Sequence, residues 1–260
     1  MNKYLQMVNV SVQTEFTYRA THWSSVFGLF LKMFVVYYFW TAVFTNMEYI
    51  GDFQEYQMIF YVILAMILNQ LNAFGVGRTL SLMIARGEIA VELVKPYFII
   101  GKLMSYNIGQ KIVEVAKDAL VLLVVLVILV RVTIPLTPIK LLFFCISSLV
   151  GMLLMQLIDI FFSIIAFWTT NTWGIWILRN SIVAVFSGAL LPISIYPSWF
   201  RVLCRFLPFK TIIYDPISVL LGAEFIGYVL PIQLIWLIVV VTGLFFCWRR
   251  ALRRVVVYGG

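Results

Sequence analysis

Charge is scarce in this chain: only 12% of the residues are Asp, Glu, Lys or Arg. A water-soluble domain carries roughly a quarter, so a surface dressed for water on all sides is excluded. Acids are scarcer than bases, 11 against 19, and there is one histidine. The three cysteines, Cys145, Cys204 and Cys247, form no CxxC pair. Neither a disulfide framework nor a metal site follows from them, and His22 has no ligand partner nearby. The phosphate-binding GxxxxGK[ST] loop is missing, as are HExxH, GxSxG and any paired-carboxylate arrangement. No catalytic, cofactor-binding or metal-ligating residues are expected, and if nucleotide is used, another chain binds it. The first 27 residues lack a compact apolar run followed by a small-residue cleavage site, so they do not read as a signal peptide.

What the chain has is apolar bulk. Hydrophobic residues make up 63% of it, and 17% are aromatic. Such a surface needs a bilayer as solvent. A helix needs about 20 apolar residues to cross the hydrocarbon core, and six candidate spans can be read. They are Phe27 to Phe44, Tyr56 to Phe74, Ala119 to Ile134, Leu141 to Trp168, Trp173 to Leu191 and Tyr228 to Trp248. The third is short in its uncharged part, so its start is expected to reach back past Lys117. The reading is an all-α membrane protein with one transmembrane domain over residues 1–260. Residues 1–26 form an interfacial helix, 27–74 spans one and two, and 75–118 a cytoplasmic connection. Spans three to five occupy 119–191, an outer segment 192–227, span six 228–248 and a basic tail 249–260.

Basic residues set the orientation. With the N-terminus inside, thirteen Lys and Arg fall on the cytoplasmic side and five outside, Lys32 lying within span one. Both termini are therefore expected in the cytoplasm. The net charge of +8 then reflects anionic lipid rather than nucleic acid, because no basic stripe interleaves with aromatics in a soluble segment.

Three places stand out. In the connection, Gly87 breaks a helix and Pro96 ends the next one, so Arg86, Gly87, Glu88, Glu92 and Lys95 belong to a short cytoplasmic helix. Its pattern puts Ile89, Ala90, Leu93 and Val94 on one face and the charges on the other. In the outer segment, Pro192, Pro197, Trp199, Pro208 and Phe209 rule out one continuous helix and suit short re-entrant helices at headgroup level. Within the spans, Asp159 and Arg179 are each costly, at about +2.5 to +3.5 kcal/mol on insertion scales. They lie at similar depth on either side of a turn near Thr169, so they are expected to pair. A structural pair is the favoured reading, and a part in substrate passage the alternative.

Taken in order, Glu15-Phe16-Thr17-Tyr18-Arg19-Ala20, the stretch from Arg86-Gly87-Glu88 to Lys95-Pro96, and the run from Ser187-Gly188 to Pro192 resemble known sequences. So do Pro197-Ser198-Trp199, Leu207-Pro208-Phe209, Tyr214-Asp215-Pro216 and the closing Gly222. They resemble the permease subunits of type-2 ABC exporters, in the short six-span bacterial branch. The resemblance implies a bacterial cell membrane and a second permease chain, identical or homologous. It also implies separate cytoplasmic ATPase subunits that hold ATP and Mg. The helix from Arg86 to Lys95 would be the coupling helix docking on the ATPase, and the N-terminal helix an interfacial elbow. Rival readings are an ATP-independent secondary carrier or channel, and a non-transporting membrane scaffold.

Overall fold

A computed structural model of the chain describes residues 3–17, 19–73, 75–129, 137–169 and 171–253. Tyr18, Phe74, Arg131, Ile134 and the tail from Arg254 lie outside the described residues, as do the side chains of Arg19, His22 and Lys117. Apart from one isolated bridge between Ile50 and Phe53, the described residues form helices and the turns between them. These are α1 (Lys3–Thr17), α2 (Arg19–Phe44), α3 (Glu55–Ala73), α4 (Val76–Ala85), α5 (Ile89–Val94) and α6 (Ile99–Leu129). There follow α7 (Pro138–Ser163), α8 (Thr172–Phe186), α9 (Ser198–Arg205), α10 (Lys210–Leu221) and α11 (Ile226–Leu252). A 3₁₀ turn, Ile164–Phe167, extends α7, and another covers Ile193–Ile195.

Four stretches among the described residues are long and apolar enough to cross a bilayer: Val26–Phe44, Glu55–Ala85, Pro138–Phe167 and Ile226–Leu252. Two of the six expected spans fall short of that standard. Helix α6 is 31 residues long but carries Glu114, Lys117 and Asp118 before its apolar run. Helix α8 has 15 residues, about 22 Å, less than the roughly 30 Å of a hydrocarbon core. The stretch 75–118, read from sequence as a connection, is itself mostly helical: it holds α4, α5 and the first part of α6.

Helices α3, α7 and α11 run parallel. Ser147 of α7 bonds Gln233 of α11 near their starts, and Phe167 meets Trp248 near their ends. Tyr61, early in α3, donates to the Gly188 carbonyl at 2.8 Å, while Asn72, late in α3, meets Arg179. The buried core has two main parts. One joins α2, α3, α7 and α10 through Met33, Tyr61, Leu154, Ile213 and their neighbours. The other joins α4, α5, α6, the end of α7 with its 3₁₀ turn and the end of α11 through Leu80, Ile89, Ile99, Ile160, Ile164 and Ala251. The second core lies at the end of the bundle that carries Arg249 and Arg250, called here the basic end.

Close approach of α7 and α10 depends on Gly151, where a Cβ would come within 3.0 Å of the Ile212 carbonyl oxygen. Gln233 joins the same two helices to α11, donating to Thr211 O at 2.8 Å and Ser147 O at 3.0 Å. Helix α1 lies parallel to the start of α6. Lys3 donates to Pro96 O, Ser11 to Tyr106 O, and Gln110 to Glu15. One side of α1 is thus held by protein, while Leu5, Gln6, Asn9 and Val10 stay exposed.

Candidate functional site

The residues of interest gather at two places at the basic end and one at the other. Helix α4 ends in a tight reversal. The amides of Arg86 and Gly87 bond Leu82 O and Ile84 O, and Gly87 takes a φ of 73°. That left-handed conformation is cheap only for glycine. Helix α5 follows with six residues and stops where Lys95 turns extended ahead of Pro96, as a residue before proline must.

Helix α5 does not present the face expected from its pattern. Ile89 and Glu92 are its buried residues, while Val91, Leu93 and Val94 are exposed, Val94 at 87%. The reason is a set of three donors behind it. Lys95 bonds Glu92 Oε1 at 2.5 Å, and Lys102 and Tyr97 each bond Oε2 at 2.8 Å. Burial opposes the charge on Glu92, but the bonds from Lys102, Lys95 and Tyr97 outweigh it and hold the carboxyl at about 2. The same partnership raises Lys95: the Glu92 carboxylate stabilises its charged form. Glu92 therefore pins α5 to the start of α6. Of the charged residues expected on an outward face, Arg86, Glu88 and Lys95 are exposed, and the nearest charged atoms of Arg86 and Glu88 lie 3.8 Å apart.

Above α5 lies the buried pair. Arg179 Nε donates to Asp159 Oδ1 at 2.5 Å, and each residue is 6% exposed. The guanidinium has two further acceptors, Asn180 Oδ1 at 2.6 Å and Asn72 O at 2.8 Å. The last of these spans a helix end. Helix α3 ends at Ala73, α4 begins at Val76, and Gly75 between them is extended at φ −108° and ψ 171°. A Cβ on Gly75 would overlap the Asp159 carboxylate, and one on Gly77 the Asp159 main-chain carbonyl. The pair thus sits between the carbonyl end of α3 and the amide end of α4. Arg78, one turn on, lies over the Trp176 ring at 5.8 Å. These residues, with Ser81 and Ser163, line a cavity of about 30 Å³. Sequence reasoning found the pair but not its link to the end of α3. The one available hint was Gly75 and Gly77 flanking Val76, two glycines where a helix has to pass close to another.

At the opposite end, the Pro-rich segment is folded into short pieces. Pro192 precedes the 3₁₀ turn, Pro197 precedes α9, and Pro208 and Phe209 precede α10. Trp199 and Phe206 stand exposed, while Phe200 stacks on Phe186 with ring centres 5.2 Å apart. Helix α10, about 18 Å long, is buried over most of its length and packs between α3, α7 and α11. It carries a second ion pair, half-buried Lys210 with buried Asp215 at 3.0 Å. Pro216 interrupts its ladder, and Gly222, at φ 80°, closes it.

At these places the buried acids are paired with bases: Glu92 with Lys102, Asp159 with Arg179 and Asp215 with Lys210. No curated protein is similar enough to count as a match. The family model described as ABC-2 family transporter protein matches residues 30–259. That is most of the chain, including the α4–α5 arm, the buried pair and the Pro-rich segment. On that match, and on its apolar spanning helices, the chain belongs to the ABC-2 transporter family as a multi-pass membrane permease.

Proposed function

We propose that this chain is the permease subunit of an ATP-driven exporter in a bacterial cell membrane. ATP and Mg are held by separate cytoplasmic ATPase subunits. A second permease chain, identical or homologous, completes the membrane part, and lipid surrounds the pair. Six helices cross the membrane, α6 and α8 among them, with both termini in the cytoplasm. Helix α5 is the element that receives force from the ATPase, with Arg86, Gly87, Glu88, Glu92 and Lys95 shaping it. The Pro-rich segment forms re-entrant helices at the outer mouth.

The observation that carries this reading is the build of α5. It is a short helix at the basic end, pinned on one side by Glu92. On the other side it offers Val91, Leu93 and Val94 to solvent. A rigid apolar knob ringed by charge suits a protein partner better than a lipid surface, since its mount is ionic and resists yielding. ATP binding draws two ATPases together, the knob follows, and the span bundle changes between two packings.

The test is to purify the chain in mild detergent and identify what accompanies it by mass spectrometry, with an ATPase assay on the eluate. A stoichiometric soluble chain with a Walker A motif and vanadate-sensitive activity is expected. A clean preparation of this chain alone, free of ATPase after gentle extraction, would favour a carrier, a channel or a scaffold instead.

A further inference from the structure

We infer that Asp159 and Arg179 form the joint that seats the α4–α5 arm on the span bundle, with Arg179 as a positioning residue for α5. The inference deepens the reading of α5 as the force-receiving helix and rests on it for its meaning. A helix that ends inside a bundle leaves carbonyls without partners, and the next helix leaves amides without partners. Away from water both must be satisfied by protein. The carbonyl end of a helix is negative and the amide end positive. Here the cation meets the carbonyl end, with Arg179 Nη2 donating to Asn72 O at 2.8 Å. The anion lies beside the amide end, with the Asp159 carboxylate packed against Gly75 and acting on that end through its charge rather than through a hydrogen bond. Each charge faces the helix end that favours it. A pair serving only to neutralise itself has no need of that arrangement.

Three further observations make this a joint rather than a static plug. The seat is cut to bare backbone, since neither Gly75 nor Gly77 has room for a Cβ. Helix α4 packs chiefly on α7, its 3₁₀ extension, α8 and α6, and Asp159 and Arg179 sit on α7 and α8. At its far end α4 passes into α5 through the hydrogen-bonded Gly87 turn, which leaves little slack. A push on α5 is therefore delivered to α4, and the fork of Arg179 resists it. On one side packing is interrupted by the cavity of about 30 Å³, so the arm has room to yield there.

The test uses the full chain with Cys145, Cys204 and Cys247 replaced by Ala, and two pairs of spin labels. One pair, Val94→Cys with Trp173→Cys, reports the arm against the bundle. The other, Tyr56→Cys with Tyr228→Cys, reports the opposite end. All four native side chains are exposed. Arg179→Lys keeps the cation beside Asp159 but loses the fork that reaches Asn72. It is expected to widen the arm distance distribution at least twofold and leave the other pair unchanged. Gly75→Ala is expected to do the same by displacing the Asp159 carboxylate, and it carries the test alone if the lysine variant does not fold. An unchanged arm distance in these variants would overturn the joint. So would equal widening of both label pairs, which marks general loosening. No ATPase is needed for these distances, so failure here is separate from failure of the co-purification test.

Discussion

At the scale of single residues, Glu92 does more for the basic end than its place in a six-residue helix suggests. Its carboxyl is held at about 2 by Lys102, Lys95 and Tyr97 against the cost of burial. An ordinary glutamate titrates near 4.3. A carboxyl whose value is lowered by folding adds stability that is fully present above the ordinary value. That stability is lost as the pH falls from about 4.5 toward about 2. Glu92→Gln is expected to lower stability by about 1–3 kcal/mol at neutral pH, the usual cost of losing charge-assisted hydrogen bonds at a buried site. Between pH 4.5 and 2.5 the thermal midpoint of the native chain should fall by more than that of Glu92→Gln. Parallel curves for the two would show that the three donors do not hold the carboxylate. Glu92→Lys would put a third cation beside Lys95, Lys102 and Tyr97 in place of their acceptor, so its effects report the mounting of α5 rather than its contact with a partner. Glu88, exposed and loosely paired with Arg86, is the acid whose reversal probes the outer surface.

At the scale of elements, α5 separates mounting from contact. Val91 and Val94 touch little of the chain itself, and exposed positions of this kind change stability by less than about 0.5 kcal/mol when substituted. Val91→Asp with Val94→Asp should leave folding intact and cut co-purified ATPase at least tenfold. Retention of the ATPase at the native level would remove α5 from the contact. The orientation of α5 was not legible in the sequence. Six residues make less than two turns, so periodicity has little to work on, and one of the decisive partners, Lys102, lies ten residues on. Helix α4 was legible at its end, where Gly87 breaks it, but not as part of the packed bundle. Gly77 and Arg78 dilute its hydropathy, though Leu80 and Ile84 are buried in the second core. The long apolar helices were plain because a span advertises itself by length alone: Phe27 to Phe44 was expected, and Val26–Phe44 is the apolar stretch observed. The Asp159–Arg179 pair was legible because charges are so rare in the apolar runs that two at matching depth have few other partners. Its link to Asn72 was not, since a main-chain carbonyl leaves no mark in a sequence.

At the scale of the whole molecule, the proposed six crossings draw support from the direction of the helices, where length and hydropathy find four. Helices α3, α7 and α11 run the same way. If α3 and α7 both cross in one direction, the chain between them must return across the membrane once, and α6 is the only long helix described there. The same holds between α7 and α11, where α8 leads from Ile175 in the second core to Val183 in the first. A four-span chain would place residue 137 on the side of α5 and residue 171 on the other. Six spans reverse both assignments. Single cysteines at Thr137 and Asn171, in a chain whose native cysteines are replaced, can be labelled in intact cells with a membrane-impermeant thiol reagent. Thr137→Cys should react from outside, whereas Asn171→Cys and Val94→Cys should react only after permeabilisation. The opposite pattern at residues 137 and 171 would mean that neither α6 nor α8 crosses. Helices α3 and α7 would then have to enter the bilayer in opposite directions. The contact of Asn72 with Arg179, and with it the seat of the α4–α5 arm, could not form as described.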